Sequence, residues 1–184
     1  FYCRVNRCIE GVELFTKIKE VAIRDFLTGL YNRRYFFEAG EAIFAQSREE
    51  RDNLVCAMMD IDRFKRVNDT YGHDTGDQVI RRVADRILAT VKKTALVARF
   101  GGEEFCVLAG GMGSDEAEGV FDGLRRDICG MTISLPEGGG HLQVSVSIGV
   151  CNTTGESLEK MISAADKCLY EAKNSGRNCL KLSA

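Results

Sequence analysis

An α+β sandwich, with a mostly antiparallel central sheet and helices packed against it, is the fold class this chain predicts. Three observations carry the prediction. The continuous apolar run "NLVCAMMDI" (53–61) has the length and composition of a buried strand. Two further strand-like runs flank a pair of glycines in "ALVARFGGEEFCVL". Around them apolar residues recur at helical spacing, giving the order strand, helix, strand, strand, helix, strand once the glycine hairpin is set aside. That order fits a ferredoxin-like arrangement, with the helices expected on one face of the sheet.

Residues 1–23 place Val5, Cys8, Val12, Phe15 and Ala22 at alternating three- and four-residue steps. The pattern fits a short seam between paired helices, and equally one amphipathic helix packed on its own domain. It breaks at Thr28-Gly29, and a helix is expected from Arg33 to about Ser47. A polar loop should follow the 53–61 strand. Val79, Ile80, Val83, Ile87, Leu88 and Val91 then mark a helix, with Thr75 and Gln78 as a capping box. Ser114 opens another helix, with Ala117, Val120, Leu124 and Ile128 inward. Residues 131–150 read as strand, glycine-rich turn ("PEGGG") and strand. Ser157 opens the last helix, which closes near Gly176, and "NCLKL" reads as a final short strand.

The 184 residues fit one domain with some extra at an end, and 45% hydrophobic with 28% charged residues is an ordinary globular profile. A net charge of −2 gives no basic field for nucleic acid, so an anionic ligand must be held by a few local cations. There are 8 Cys but no C-x-x-C pair and only 2 His, which argues against a zinc site and for reduced cytoplasmic thiols. No apolar run reaches the length of a membrane span, so no membrane contact is expected from these residues. The opening "FYCRVNR", without Met, is expected to be a cut from a longer protein.

Three clusters need more than a structural reason. Asp60 and Asp62 end a buried strand, where an unpaired carboxylate would neutralise itself. They fit ligands for a hard dication such as Mg²⁺, and also fit loop caps. In "RFGGEEF", Gly101 and Gly102 allow positive φ and leave the turn bare for a bulky ligand. Glu103 and Glu104 then point to opposite faces, and one can share a metal with Asp60 if the strands are neighbours. The stretch "GGEE" (101–104) alone fits an exposed, solubilising hairpin. Lys173 and Arg177, one turn apart at a helix end, fit either a phosphate clamp or charges favoured by the helix dipole.

Taken together, "DFLTGLYNRRYF", "MMDIDRFKRVNDTYGHDTGDQVI", "RFGGEEF", "VSIGV" and "ADKCLYEAKNSGRN" resemble the GGDEF domain of diguanylate cyclases, in order from Asp25 to about Leu182. The signature here is the Gly-Gly-Glu-Glu-Phe variant. The resemblance implies a ferredoxin-like fold similar to the polymerase palm, covering 24–184 as a catalytic domain behind a signalling or linker helix at 1–23. It implies condensation of two GTP into cyclic di-GMP with loss of pyrophosphate, by a homodimer of facing half-sites with two-fold symmetry. Asp60 and Glu103 would be metal ligands, with the Ile61 carbonyl, for Mg²⁺ or Mn²⁺, two ions per GTP; Glu104 would bind the second ion or assist deprotonation. Asn68 and Asp77 would read the guanine edge, with His73 in the same motif. Backbone amides at Arg63, Phe64 and Lys65 would cradle phosphates, with Lys65, Lys173 and Arg177 adding charge. A non-catalytic GTP-binding regulatory domain is the alternative.

The chain departs from this family in one place. Many members carry Arg-x-x-Asp before the signature, which binds product and shuts the enzyme down; here Lys92 to Ala95 read "KKTA". Feedback inhibition through that site is therefore expected to be absent or weak. Turnover assayed with added cyclic di-GMP should be unaffected at low-micromolar product, and strong inhibition there would contradict the expectation.

Overall fold

The computed structural model describes residues 20–91, 93–135, 139–152 and 156–183. The helix expected over 1–23 lies outside these except for a helical turn at 20–23, as do Lys92 and the start of the "PEGGG" turn. The chain runs β1 (Tyr31–Asn32), α1 (Arg33–Glu50), β2 (Leu54–Ile61), α2 (Phe64–Tyr71), α3 (His73–Thr90), β3 (Leu96–Arg99) and β4 (Glu104–Gly110). It continues through α4 (Ser114–Gly130), β5 (Ile133–Ser134), β6 (His141–Leu142), β7 (Val146–Cys151), α5 (Leu158–Asn174) and β8 (Leu180–Leu182). The main sheet has the order β1-β3-β4-β2-β7-β8, and β5 and β6 form a separate pair. Its central ladders are antiparallel, while β1 on β3 and β8 on β7 are parallel edges.

Helices cover both faces of this sheet, not the one face expected. The reason lies in β2, all of whose residues are buried. Val55, Ala57, Met59 and Ile61 join a core with α3 and α4. Leu54, Cys56 and Met58 join another with α1 and α5. A strand apolar on both sides needs a cover on both. The alternation also decides where Asp60 goes: it follows Leu54, Cys56 and Met58 onto the α5 side.

The polar stretch after β2 is a helix, α2, rather than a loop. It buries only Phe64 and Val67 against the core, so its sequence reads as polar. Gly72, at φ 81, breaks the chain, and α3 starts at once with His73. The Thr75–Gln78 capping box therefore sits inside the helix, where Thr75 Oγ1 donates to the Tyr71 carbonyl at 2.9 Å. The expected long strand before Val150 is likewise divided, because residues 143–145 leave the ladder between β6 and β7. There the Asp62 N–H donates to the Ser145 carbonyl at 2.9 Å. The cap at Ser157 is as expected, its hydroxyl accepting from the Lys160 N–H at 3.2 Å.

Gly149 sets the distance between β7 and α5. A Cβ there would lie 2.1 Å from both the Ala165 carbonyl oxygen and the Leu169 nitrogen, and neither backbone atom can swing aside. Gly149→Ala should destabilise the chain by about 3 kcal/mol or more through overpacking. Gly123→Ala, in α4 with nothing within 4 Å of its Cβ position, should stabilise by about 0.5–1 kcal/mol. Urea midpoints of the two variants check both; equal midpoints would contradict the packing.

Candidate active site

Antiparallel pairing of β2 with β4 sets Asp60 directly across from Glu104. Residues opposite each other on such a ladder share a face, so both carboxylates lie on the α5 side. The α5 helix, seated closely over Gly149, brings Lys173 Nζ to 2.7 Å from Asp60 Oδ2. Asp60 is only 7% exposed. Burial raises its carboxyl to about 6, and the charges of Glu103 and Glu104 push the same way; Lys173 opposes them. One ammonium thus faces three acidic groups. The Ile61 N–H donates to the Glu103 carbonyl at 3.2 Å, tying the end of β2 to the signature turn.

The two signature glycines are not needed for positive φ, contrary to the sequence expectation: neither has a left-handed backbone. Gly101 leaves room for a neighbouring side chain. A Cβ on Gly101 would meet Glu104 Oε2 at 2.6 Å, so the carboxylate lies over bare backbone. Gly102 faces open space. The turn is held from outside by Arg99, whose Nη2 and Nε donate to the Gly102 carbonyl at 2.7 and 3.2 Å. The same guanidinium pairs with Asp25 at 3.1 Å. Asp25 in turn accepts from the Thr28 hydroxyl and N–H, so the segment next to the 20–23 turn is linked to the glutamates. Sequence reasoning gave Arg99 no role; its place between a strand and the glycines was the available signal.

Helices α2 and α3 meet at a second bare position. A Cβ on Gly76 would fall 1.9 Å from Asn68 Oδ1. That oxygen is buried and has no hydrogen-bond partner among the described residues. A shielded acceptor without a donor is destabilising, and a donor from a ligand fits it. Asp77 is half-buried one residue further along α3, while His73 and Lys65 are exposed. Phe64 is buried under α2, and Arg63 takes the left-handed conformation at its start. Lys173 makes the ion pair to Asp60, and Arg177 lines a cleft with Arg63 and Arg66.

Asp62, paired with Asp60 in the sequence reading, has a structural task. It accepts from the Ser145 and Ser147 hydroxyls at 2.6 Å each and from the Asn178 N–H at 2.9 Å. It therefore joins β2, β7 and the segment after α5. Serines at 145 and 147, alternating with valine, were the signal for an inward polar partner.

Among the described residues no three acidic, histidine or cysteine side chains already converge as metal ligands. The donor set still fits a hard dication: hard carboxylate oxygens opposite each other, with a lysine ammonium already at the point where positive charge is required. The Asp60 proton then competes with the cation. Between the ordinary value of 3.8 and about 6, the unfolded chain gives up this proton while the folded chain keeps it. Stability from this group therefore falls as pH rises through that window, and a cation bound to the ionised form restores it. Added Mg²⁺ should raise the melting temperature at pH 7.5 and much less at pH 5, with affinity falling about tenfold per pH unit below the Asp60 value. Asp60→Asn should remove the difference; equal shifts at both pH values would contradict it.

The chain is similar to known proteins in sequence and in fold. The family profile described as "Diguanylate cyclase, GGDEF domain" matches residues 22–179. The response regulator PleD of Caulobacter vibrioides is 37% identical over 163 residues, covering 88% of this chain and 36% of that protein. The probable diguanylate cyclase DgcT of Escherichia coli is 40% identical over 163 residues, covering 87% and 35%. The chain thus spans about a third of the length of these relatives. The coiled coil and GGDEF domain of DgcB from Caulobacter crescentus, solved with c-di-GMP, superposes with a TM-score of 0.89 at 30% identity, covering 98% of this chain and 94% of that one. With its carboxylate pair, bare turn and helical hairpin in this order, the chain belongs to the diguanylate cyclase GGDEF domain family.

Proposed function

We propose that this domain condenses two molecules of GTP into cyclic di-GMP and releases pyrophosphate. The observation that carries the proposal is buried Asp60 directly opposite Glu104, an excess of negative charge that a nucleotide-bound dication removes. Asp60, Glu103, Glu104 and the Ile61 carbonyl would hold Mg²⁺ or Mn²⁺, in two ions per GTP, which when bound stabilises charge developing on the phosphates. Asn68 Oδ1 and the Asp77 carboxylate accept from the N1–H and exocyclic amine of guanine; adenine offers no matching donor pair. Lys65 and Lys173 neutralise the phosphate tail, Lys173 moving from Asp60 to do so, and backbone N–H groups at Arg63 to Lys65 orient it.

In the reaction the 3′-oxygen of one GTP forms a bond to the α-phosphorus of the other. The bond from that phosphorus to the departing pyrophosphate breaks, and a signature glutamate takes the hydroxyl proton. Each domain holds one GTP, so two copies face each other with two-fold symmetry to close both bonds of the ring. The segment at 1–23 sets their approach as the linker of a longer cytoplasmic signalling protein, with 24–184 as its catalytic unit. No helix among the described residues is long and apolar enough to cross a membrane.

Incubation with GTP and Mg²⁺ at several protein concentrations, with products identified by mass, tests the reading. Cyclic di-GMP is expected, with turnover per chain rising with concentration. Asp60→Ala and Glu104→Ala should each lower the rate by about 100-fold or more, in line with the loss of a transition-state charge contact. Asn68→Ala should lower kcat/KM for GTP by about 10-fold or more and narrow the preference over ATP. GTP binding without any product would instead select a regulatory, non-catalytic domain.

A further inference from the structure

Helix α5 ends at Asn174, yet the chain just beyond it is tightly constrained. Gly176, Arg177 and Asn178 all have positive φ, at 108, 66 and 45°. Glycine adopts such backbone readily, but other residues visit it singly rather than in a run. A run of three therefore has to be held by its surroundings. The helix end supplies one tie, from the Arg177 N–H to the Ala172 carbonyl at 3.2 Å.

The other ties converge on Asn178, whose polar groups are all engaged. Its N–H donates to Asp62 Oδ2 at 2.9 Å. Its side-chain amide donates to Cys129 Sγ at 3.4 Å. Its carbonyl and Oδ1 both accept from Arg125 Nη1, at 3.2 and 2.9 Å. Asp62 thus holds the bend from the sheet, and Arg125 holds it from α4. That helix is a fixed support, since Phe121, Leu124 and Ile128 are fully buried. Arg125 Nε also pairs with Asp122 at 2.7 Å, so the guanidinium is oriented and its charge balanced where it meets Asn178. A planar fork serves both partners at once, which a lysine ammonium does not. Arg125 lies in none of the stretches that carry the family resemblance.

We propose that Arg125 is a positioning residue for the nucleotide: by clamping Asn178 it keeps the left-handed bend after α5 and so fixes the direction of Arg177. Arg177 is the middle residue of that bend. Its charge serves a bound nucleotide only while the bend holds, because a misdirected cation loses the contact. The proposal rests on the reading of this domain as one that binds GTP with Arg177 at the phosphates. It does not require that the bound GTP react.

Calorimetric titration with a non-hydrolysable GTP analogue and Mg²⁺ tests the clamp. Arg125→Ala and Arg177→Ala should each weaken binding by about tenfold, the loss of one charge-assisted contact. The double variant should be no more than about twofold weaker than either single one, because Arg125 acts through Arg177. Unchanged affinity in Arg125→Ala, or losses that add to about a hundredfold in the double variant, overturn the proposal. A second pair of variants spares the Arg125 side chain. Asn178→Gly, which accepts the left-handed bend, should hold affinity within about threefold, while Asn178→Ala should weaken it as Arg177→Ala does. Equal losses in those two variants also overturn the proposal. In turnover assays Arg125→Ala should raise KM for GTP and leave kcat within about threefold, a split that loss of folded protein would not give. A chain that shows these affinities but makes no cyclic dinucleotide would sink the proposed reaction and leave the clamp standing.

Discussion

Negative charge at the buried end of β2 is the constraint on which the rest of the structure turns. Asp60 cannot face water, because the alternation of β2 directs it onto the α5 side of a strand buried throughout. Left alone there it would hold its proton into the mildly acidic range, and its value of about 6 reflects that pressure. The fold answers with one cation, Lys173, at 2.7 Å. It then adds two further carboxylates in the adjacent turn. A protein needing only stability would leave the Asp60–Lys173 pair closed; placing Glu104 opposite Asp60 opens a demand for more positive charge than the chain supplies.

Close approaches make that arrangement possible, and each depends on a missing Cβ. Gly149 lets α5 rest on β7 and so delivers Lys173. Gly101 lets the Glu104 carboxylate fold over the turn. Gly76 lets α3 meet Asn68. Asp62 and Arg99 hold the frame around these contacts. The first ties β2 to β7 and Asn178; the second ties the glycine turn to Asp25. Packing and chemistry are therefore one problem here: the backbone distances that bring the acids together are the distances that side chains would prevent.

Much of this was legible in the sequence because it is local. A continuous apolar run ending in acid announces β2 and its burdened end, and adjacent glycines before paired glutamates announce the turn. Helix α2 was hidden because its buried face consists of Phe64 and Val67, too few for a periodic signal. Coverage of both sheet faces was implicit in the β2 run, apolar on both sides, and was missed because the element order alone set the expectation of one covered face. The task of Gly149 was hidden because it depends on backbone at Ala165 and Leu169, far along the chain. Arg177 read as one helical turn on from Lys173, but the helix ends at Asn174, and Gly176 and Arg177 take left-handed backbone. Spacing along a helix predicts neighbours only while the helix lasts.

The central claim is that the Asp60 end is built around a cation heavier in charge than lysine. Anomalous diffraction from crystals grown with Mn²⁺ and a non-hydrolysable GTP analogue tests it most directly. The account predicts manganese bound by Asp60 and a signature glutamate, with the Lys173 ammonium displaced onto phosphate. Manganese only at other sites, with Lys173 still closed on Asp60 and the glutamates turned to solvent, would contradict it.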